Sequence, residues 1–181
     1  VEIQRIVKEY SLVKTFSFHD KLCEKAAPGQ FIMVWVPGVD EVPMSLSAIK
    51  DNYCSFTVAK VGETTKALHM MKEGDLIGVR GPFGNGFSYM KGDVLIVGGG
   101  TGLSPLAFLA ENLSKFGANV TFLLGAKTRC ELLFLDRVTK VSADVATTTD
   151  DGSFGLKGLV TEYAEKMLAE NRFDMVYACG P

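Results

Sequence analysis

The spacing of hydrophobic positions changes once along the chain. Up to about Tyr89, apolar residues alternate or come in short runs: Ile3, Ile6 and Val7; Leu12, Val13, Phe16 and Phe18; Phe31 to Val36; Met44 to Ile49; Tyr53 to Val61; Leu76 to Val79. Turn signals separate them at Pro28-Gly29, Pro37-Gly38, Asp51-Asn52 and Glu73-Gly74-Asp75. Short alternating strands at this spacing predict an antiparallel barrel. One helix interrupts it, Thr64 to Met71, with Leu68 and Met71 inward and Thr64 or Thr65 as N-cap.

From Met90 the pattern alternates between strand and helix. Val94 to Val97 is a buried strand, followed by Gly98-Gly99-Gly100-Thr101-Gly102 and a helix over Ser104 to Phe116, where Leu106, Leu109, Ala110 and Leu113 recur at helical spacing. Val120 to Leu124 is the next strand, Glu131 to Val138 a short helix, Val145 to Thr148 a strand, Thr161 to Ala169 a helix, and Met175 to Ala178 a last strand. Strands alternating with helices predict a doubly wound parallel sheet, whose ligands bind beyond the carboxyl ends of its strands. The expected class is thus β plus α/β: a barrel domain over residues 1–89, then a parallel-sheet domain over 90–181.

Composition narrows the partners. The chain has 181 residues, 47% hydrophobic and 22% charged, with net charge −2. No basic surplus points to nucleic acid or an anionic membrane. No apolar run approaches the roughly 20 residues of a membrane helix, and no secretory signal is read, so a cytoplasmic protein is expected. Cys23, Cys54, Cys130 and Cys179 form no CxxC pair; they read as free thiols, and no metal site is expected within the chain. His19 and His69 stand isolated.

The glycine run after Val97 is the strongest candidate for chemistry. Strand, glycine turn and helix start expose backbone N–H groups where a phosphate can sit. It is not a GxGxxG, and no acidic residue ends the next strand, which weakens both an ordinary NAD site and an S-adenosylmethionine site. Asp150-Asp151-Gly152 offers ribose acceptors or is a solvated turn. Lys127 and Arg129 meet a nucleotide phosphate or are solvated. In the first half, Ser45 and Ser47 of VPMSLS are expected on one strand face, either as exposed serines or as donors to a planar ligand. Gly62-Glu-Thr-Thr is an ordinary capped helix start or a second phosphate site. Arg80 to Phe87, RGPFGNGF, is a close-approach loop or a linker.

The order of these segments resembles the ferredoxin–NADP reductase superfamily, and within it the electron-transfer subunits of NAD-dependent dihydroorotate dehydrogenases. The motifs are PMSLS, VGETTKAL, GDLIGVRGPFGNGF, VLIVGGGTGLSPL, TTDDGSFGLKGLVTE and YACGP, spread over essentially the whole chain. The resemblance implies an FAD-binding barrel followed by an NAD(P)-binding domain. It implies that Pro43, Met44, Ser45 and Leu46 lie along the flavin ring with Ser45 near N5. Val58, Ala59 and Lys60 pass the ring's other edge, and Gly62, Thr64 and Thr65 hold the FAD pyrophosphate. On the NAD side it implies Gly98, Gly99, Gly100, Thr101 and Gly102 at the pyrophosphate, with Pro105 shaping the turn. Asp150, Asp151 and Gly152 approach a ribose, and Cys179, Gly180 and Pro181 lie near the nicotinamide. No residue acts as general acid or base.

The implied activity passes electrons between NAD(H) and an FMN-containing dihydroorotate dehydrogenase catalytic subunit, through FAD and a [2Fe–2S] cluster, in pyrimidine biosynthesis. The cluster cysteines of that family follow the CGP motif, and the four cysteines present here do not have the cluster spacing; whether the chain is a truncated form of a longer protein, with the cluster lost along with the tail, is left open. The superfamily commonly places Arg just before Pro-x-Ser; this chain has Val42, with Lys66 or Arg80 as the replacement cation. Two alternatives stay open: a related NAD(P)H flavin reductase subunit serving ferredoxin, sulfur compounds or hydrogenase, and a non-catalytic flavin- or nucleotide-binding module. The residues do not distinguish NAD from NADP, since Lys127 and Arg129 suit a 2′-phosphate, whereas the resemblance favours NAD.

Overall fold

The computed structural model describes all residues, 1–181. Two compact units make up the chain, Val1–Phe87 and Ser88–Pro181. The first contains strands β1 (Ile3–Tyr10), β2 (Val13–Phe18), β3 (Phe31–Trp35), β4 (Glu41–Lys50) and β5 (Tyr53–Ala59), helix α1 (Glu63–Met70) and strand β6 (Gly78–Phe83). These strands form one antiparallel sheet in the order β1-β2-β5-β4-β3-β6. Its core is aromatic and aliphatic. Phe16 and Phe56 stack at 5.4 Å, Phe18 tilts against Phe56 at 6.0 Å, and Ile32, Val34, Leu46 and Leu68 are fully buried. The β4–β5 hairpin turns on Asp51 and Asn52, both with positive φ (52° and 65°), the short polar residues that tolerate it best.

β4 changes partner along its length. Glu41 to Ser45 pair with β3, whereas Leu46 to Lys50 pair with β5, with a register shift between Leu46 and Ala48. The extra residue is Ser47, and the bulge turns it inward beside buried Leu46, while Ser45 stays exposed. The two serines therefore do not share a face, contrary to the alternation expected from sequence. The sixth strand also differs. Leu76 makes only an isolated bridge to Glu2, and the ladder begins at Gly78 and runs on into Gly81-Pro82-Phe83. RGPFGNGF folds back on its own unit. Gln30 Nε2 donates to Gly84 O at 2.8 Å, Phe87 N–H donates to Pro28 O at 2.8 Å, and a Cβ on Gly86 would lie 2.7 Å from Ala27 Cβ. Close packing on the Ala27–Gln30 turn accounts for that glycine.

The second unit contains β7 (Asp93–Gly99), α2 (Leu103–Phe116), β8 (Asn119–Ala126), α3 (Leu135–Thr139), β9 (Asp144–Thr149), β10 (Leu156–Lys157), α4 (Val160–Glu170) and β11 (Met175–Cys179). All neighbouring strands are parallel, in the order β10-β9-β8-β7-β11. Val94, Leu95 and Ile96 of β7 and Phe122, Leu123 and Leu124 of β8 are buried, as a sheet covered on both faces requires. α2 ends where Gly117 turns left-handed (φ 91°) and Ala118 N–H closes on Leu113 O. The helix expected over Glu131 to Val138 is shorter and later: a 3₁₀ turn covers Arg129–Glu131, and Phe134 sits left-handed (φ 60°) before α3 begins.

Candidate functional site

Strand order fixes where a ligand fits in the second unit. Successive strands β7, β8 and β9 step one way across the sheet, and β11 returns on the other side of β7. The reversal makes β7 and β11 the switch point, where the loops beyond the strands part and leave a crevice. Gly98 pairs with Cys179 at that end, so the runs Gly98–Gly102 and Cys179–Pro181 leave the sheet side by side. A cleft of about 550 Å³ opens there. Its floor is Gly98, Gly99 and Gly100, with Ala178 to Pro181 on one side. Gly125, Ala126, Lys127, Glu131 and Asp150 come from the ends of β8 and β9, and Leu159, Val160 and Thr161 from the start of α4.

Each glycine of the run meets something different. A Cβ on Gly98 would press on Leu103 and Leu106 at 2.7 and 2.8 Å, so this glycine lets α2 pack against β7. A Cβ on Gly102 would lie 2.5 Å from Cys179 O, so this one lets the 179–181 segment cross. Gly99 is open: its Cβ would meet only Gly125 O at 3.6 Å and Pro181 Cδ at 3.9 Å, and would fill part of the cleft. Gly100 has φ 56°, the left-handed turn into the 3₁₀ segment Gly100–Gly102 and α2. A backbone that keeps Cβ atoms away at the foot of a helix suits a pyrophosphate. Ser104, in the first turn of α2, is buried, and its Oγ has no hydrogen-bond partner.

Of the residues named from sequence on this side, Gly98, Gly99, Gly100, Asp150, Cys179, Gly180 and Pro181 line the cleft. Thr101, Gly102 and Pro105 form the turn and helix start behind it. Asp151 does not line it. Its carboxylate accepts from Ser153 N–H at 2.9 Å and Ser153 Oγ–H at 2.6 Å, and these hydrogen bonds hold it below the usual carboxylate range. Gly152 (φ 76°) packs over the Lys157 side chain. Lys127 lines the cleft, whereas the Arg129 guanidinium lies 5.3 Å over the Phe154 ring. Leu159, Val160 and Thr161 fall in the TTDDGSFGLKGLVTE segment without being among the site residues named from it, and Glu131 lies outside every motif, so only the strand-end rule points toward its neighbourhood.

The first unit offers a different geometry. β4 and β5 part after the Leu46–Phe56 pair, so Pro43 to Ser45 bond only to β3, and Val58 and Ala59 only to β2 within the sheet. Two strand edges diverge from one point, leaving backbone groups on the facing edges without sheet partners. β5 then leads through Lys60 to the foot of α1. The N-cap there is Gly62, not a threonine, and Thr65 Oγ1 accepts from Val61 N–H at 3.0 Å and Gly62 N–H at 2.8 Å. Thr64 and Thr65 are buried; Leu68 faces the core, and His69 Nε2 bonds Val58 O at 3.0 Å. Burial is the main cause that lowers the His69 pKa. Val42 is half-buried opposite Val34. Arg80 is engaged elsewhere, Nε and a terminal nitrogen donating to Glu41 at 2.9 and 2.6 Å, which leaves Lys66 as the exposed cation on α1.

A barrel followed by a parallel-sheet unit with a switch-point cleft defines an NAD-binding oxidoreductase of the ferredoxin-reductase type. Residues 96–181 match the oxidoreductase NAD-binding domain family. A ferredoxin–NADP+ reductase from Neisseria gonorrhoeae, solved with FAD and NADP, shares the fold (TM-score 0.80, 18% identity, 99% of this chain and 83% of that one). An NADH-dependent reduced ferredoxin–NADP oxidoreductase studied for flavin-based electron bifurcation is similar at TM-score 0.91 and 36% identity, over 99% of this chain and 67% of that one.

The sequence relatives are more specific. The probable dihydroorotate dehydrogenase B (NAD(+)) electron transfer subunit of Methanocaldococcus jannaschii is 49% identical over 99% of this chain and 67% of its own length. That of Methanothermobacter thermautotrophicus is 45% identical over 100% and 68%. The chain belongs to the dihydroorotate dehydrogenase B electron transfer subunit family.

Proposed function

We propose that this chain passes electrons between NAD(H) and the catalytic subunit of a dihydroorotate dehydrogenase, using bound FAD. The observation that carries the NAD half is Gly99, whose missing Cβ keeps the cleft open beside the foot of α2. There, backbone N–H groups at the 3₁₀ turn and α2 hold the dinucleotide pyrophosphate, and Cys179 to Pro181 bound the nicotinamide end. The observation that carries the flavin half is the parting of β4 from β5. Pro43 to Leu46 and Val58 to Lys60 present backbone edges to a planar ring, and the foot of α1 takes the flavin pyrophosphate at Gly62, Thr64 and Thr65, with Lys66 in the role that Val42 cannot fill. The two cofactors supply hydride chemistry, and the protein supplies binding and orientation. Consistent with this, no general acid or base is needed.

The 181 residues hold no group of three or more His, Cys, Asp or Glu placed for a metal ion. They therefore do not fit a [2Fe–2S] cluster, and no step here runs through one. The chain spans about two thirds of its relatives' length. The resemblance to the ferredoxin–NADP oxidoreductase supports a second reading, in which the partner is a ferredoxin-linked protein.

The test is spectroscopic. Protein reconstituted with FAD is expected to be yellow, to bleach when NADH is added without oxygen, and to recover colour when a dihydroorotate dehydrogenase catalytic subunit and orotate are added. Folded protein that takes up no FAD overturns the reading. Bleaching without recovery, on orotate but not on ferredoxin, favours the second.

A further inference from the structure

Three charged residues line the cleft, Lys127, Glu131 and Asp150. The ion pairs of the structure are Arg80–Glu41 and Arg137–Glu111, so none of the three is neutralised by a neighbour. Lys127 and Glu131 stand on the segment leaving β8, and Asp150 follows the end of β9. Three hydrogen bonds lace these loops together: Asp150 N–H to Ala126 O at 3.1 Å, Asp151 N–H to Lys127 O at 3.3 Å, and Arg129 N–H to Ser153 Oγ at 2.8 Å. Both carboxylates are therefore carried on a braced rim.

Strand order says which part of a dinucleotide they meet. The glycine floor ends β7, and the 179–181 segment ends β11 on one side of it. β8 and β9 lie on the other side, about 5 and 10 Å from β7 at the usual strand spacing. With the pyrophosphate over the floor and the nicotinamide toward β11, the adenosine ribose lies over β8 and β9. We propose that Glu131 and Asp150 together make the cleft selective for a dinucleotide without a 2′-phosphate. Free ribose hydroxyls donate hydrogen bonds to carboxylates. A 2′-phosphate brings negative charge toward two carboxylates, with Lys127 as the single offsetting cation, and like charges brought together in a partly enclosed site repel. This inference rests on the reading of the cleft as a dinucleotide site.

The test titrates the full chain with NADH and with NADPH by calorimetry, for the wild type, Glu131→Gln, the Glu131→Gln/Asp150→Asn double variant, and Gly99→Val. NADH is expected to bind the wild type at least about tenfold more tightly than NADPH. Glu131→Gln is expected to narrow that ratio about threefold or more by tightening NADPH, and the double variant to bring the two close to parity. Glu131→Gln is judged alone if the double variant does not fold. An unchanged ratio, or parallel weakening of both nucleotides, overturns the selectivity while leaving the cleft reading in place. Undiminished NADH binding by Gly99→Val overturns the cleft reading itself, and this inference with it.

Discussion

At Gly99 the backbone is extended (φ −143°, ψ 148°), which a β-branched residue adopts readily, and its Cβ direction is open to the cleft. Gly99→Val is therefore expected to keep the fold, with a thermal midpoint within a few degrees of wild type. Its NADH affinity should fall roughly tenfold or more, about 1.4 kcal/mol. Gly102 is the opposite case. A methyl there meets Cys179 O at 2.5 Å, so Gly102→Ala should destabilise the second unit by about 1–3 kcal/mol, read from denaturant midpoints. His69 gives the residue-scale pH response. It is buried as the neutral ring, and its pKa lies below the ordinary 6.5. The unfolded chain therefore takes up the proton first. Its contribution to stability is intact above 6.5 and is lost as pH falls from 6.5 through the lowered folded value. Melting between pH 7.5 and 5 should show this loss, and His69→Gln should flatten it.

The start of α1 depends on one side chain. Thr65 Oγ1 satisfies the N–H groups of Val61 and Gly62, and Lys14 Nζ donates to His69 O at the other end, at 2.7 Å. Thr65→Val keeps the shape and removes the acceptor. It should cost about 1 kcal/mol in stability and weaken FAD binding several-fold, both measurable by denaturation and by flavin fluorescence. This arrangement shows what a single sequence can and cannot declare. A Gly-Glu-Thr-Thr segment announces a helix start, but which residue caps it depends on where β5 releases the chain. In the second unit β7 and β8 are legible because each carries an apolar run that leads into glycine, whereas β9 is half threonine, the two-residue β10 shows no strand pattern, and the switch point appears only once the strands are paired. The bulge at Ser47 leaves no such trace: the apolar-polar alternation continues through it, and only pairing with two different partners reveals it. Glu131 is silent for a related reason. It lies in a 3₁₀ turn with no periodicity, and enters the cleft because the β8 and β9 loops are tied together.

At the scale of the molecule, the reading assigns one cofactor to each unit, and variants can separate the two assignments. The units have separate cores, so a lesion in one should leave binding in the other intact. Gly99→Val should therefore stay yellow with FAD, and Thr65→Val should bind NADH with wild-type affinity. Reduction needs both. Mixed with NADH without oxygen, each variant should bleach more slowly than wild type, but for different reasons. Raising NADH should restore much of the rate in Gly99→Val, whose defect is nucleotide affinity. It should not help Thr65→Val, where added FAD should. Stopped-flow absorbance at the flavin band, with each cofactor varied in turn, reads these outcomes directly. A chain in which both variants responded to the same cofactor would have its sites assigned to the wrong units.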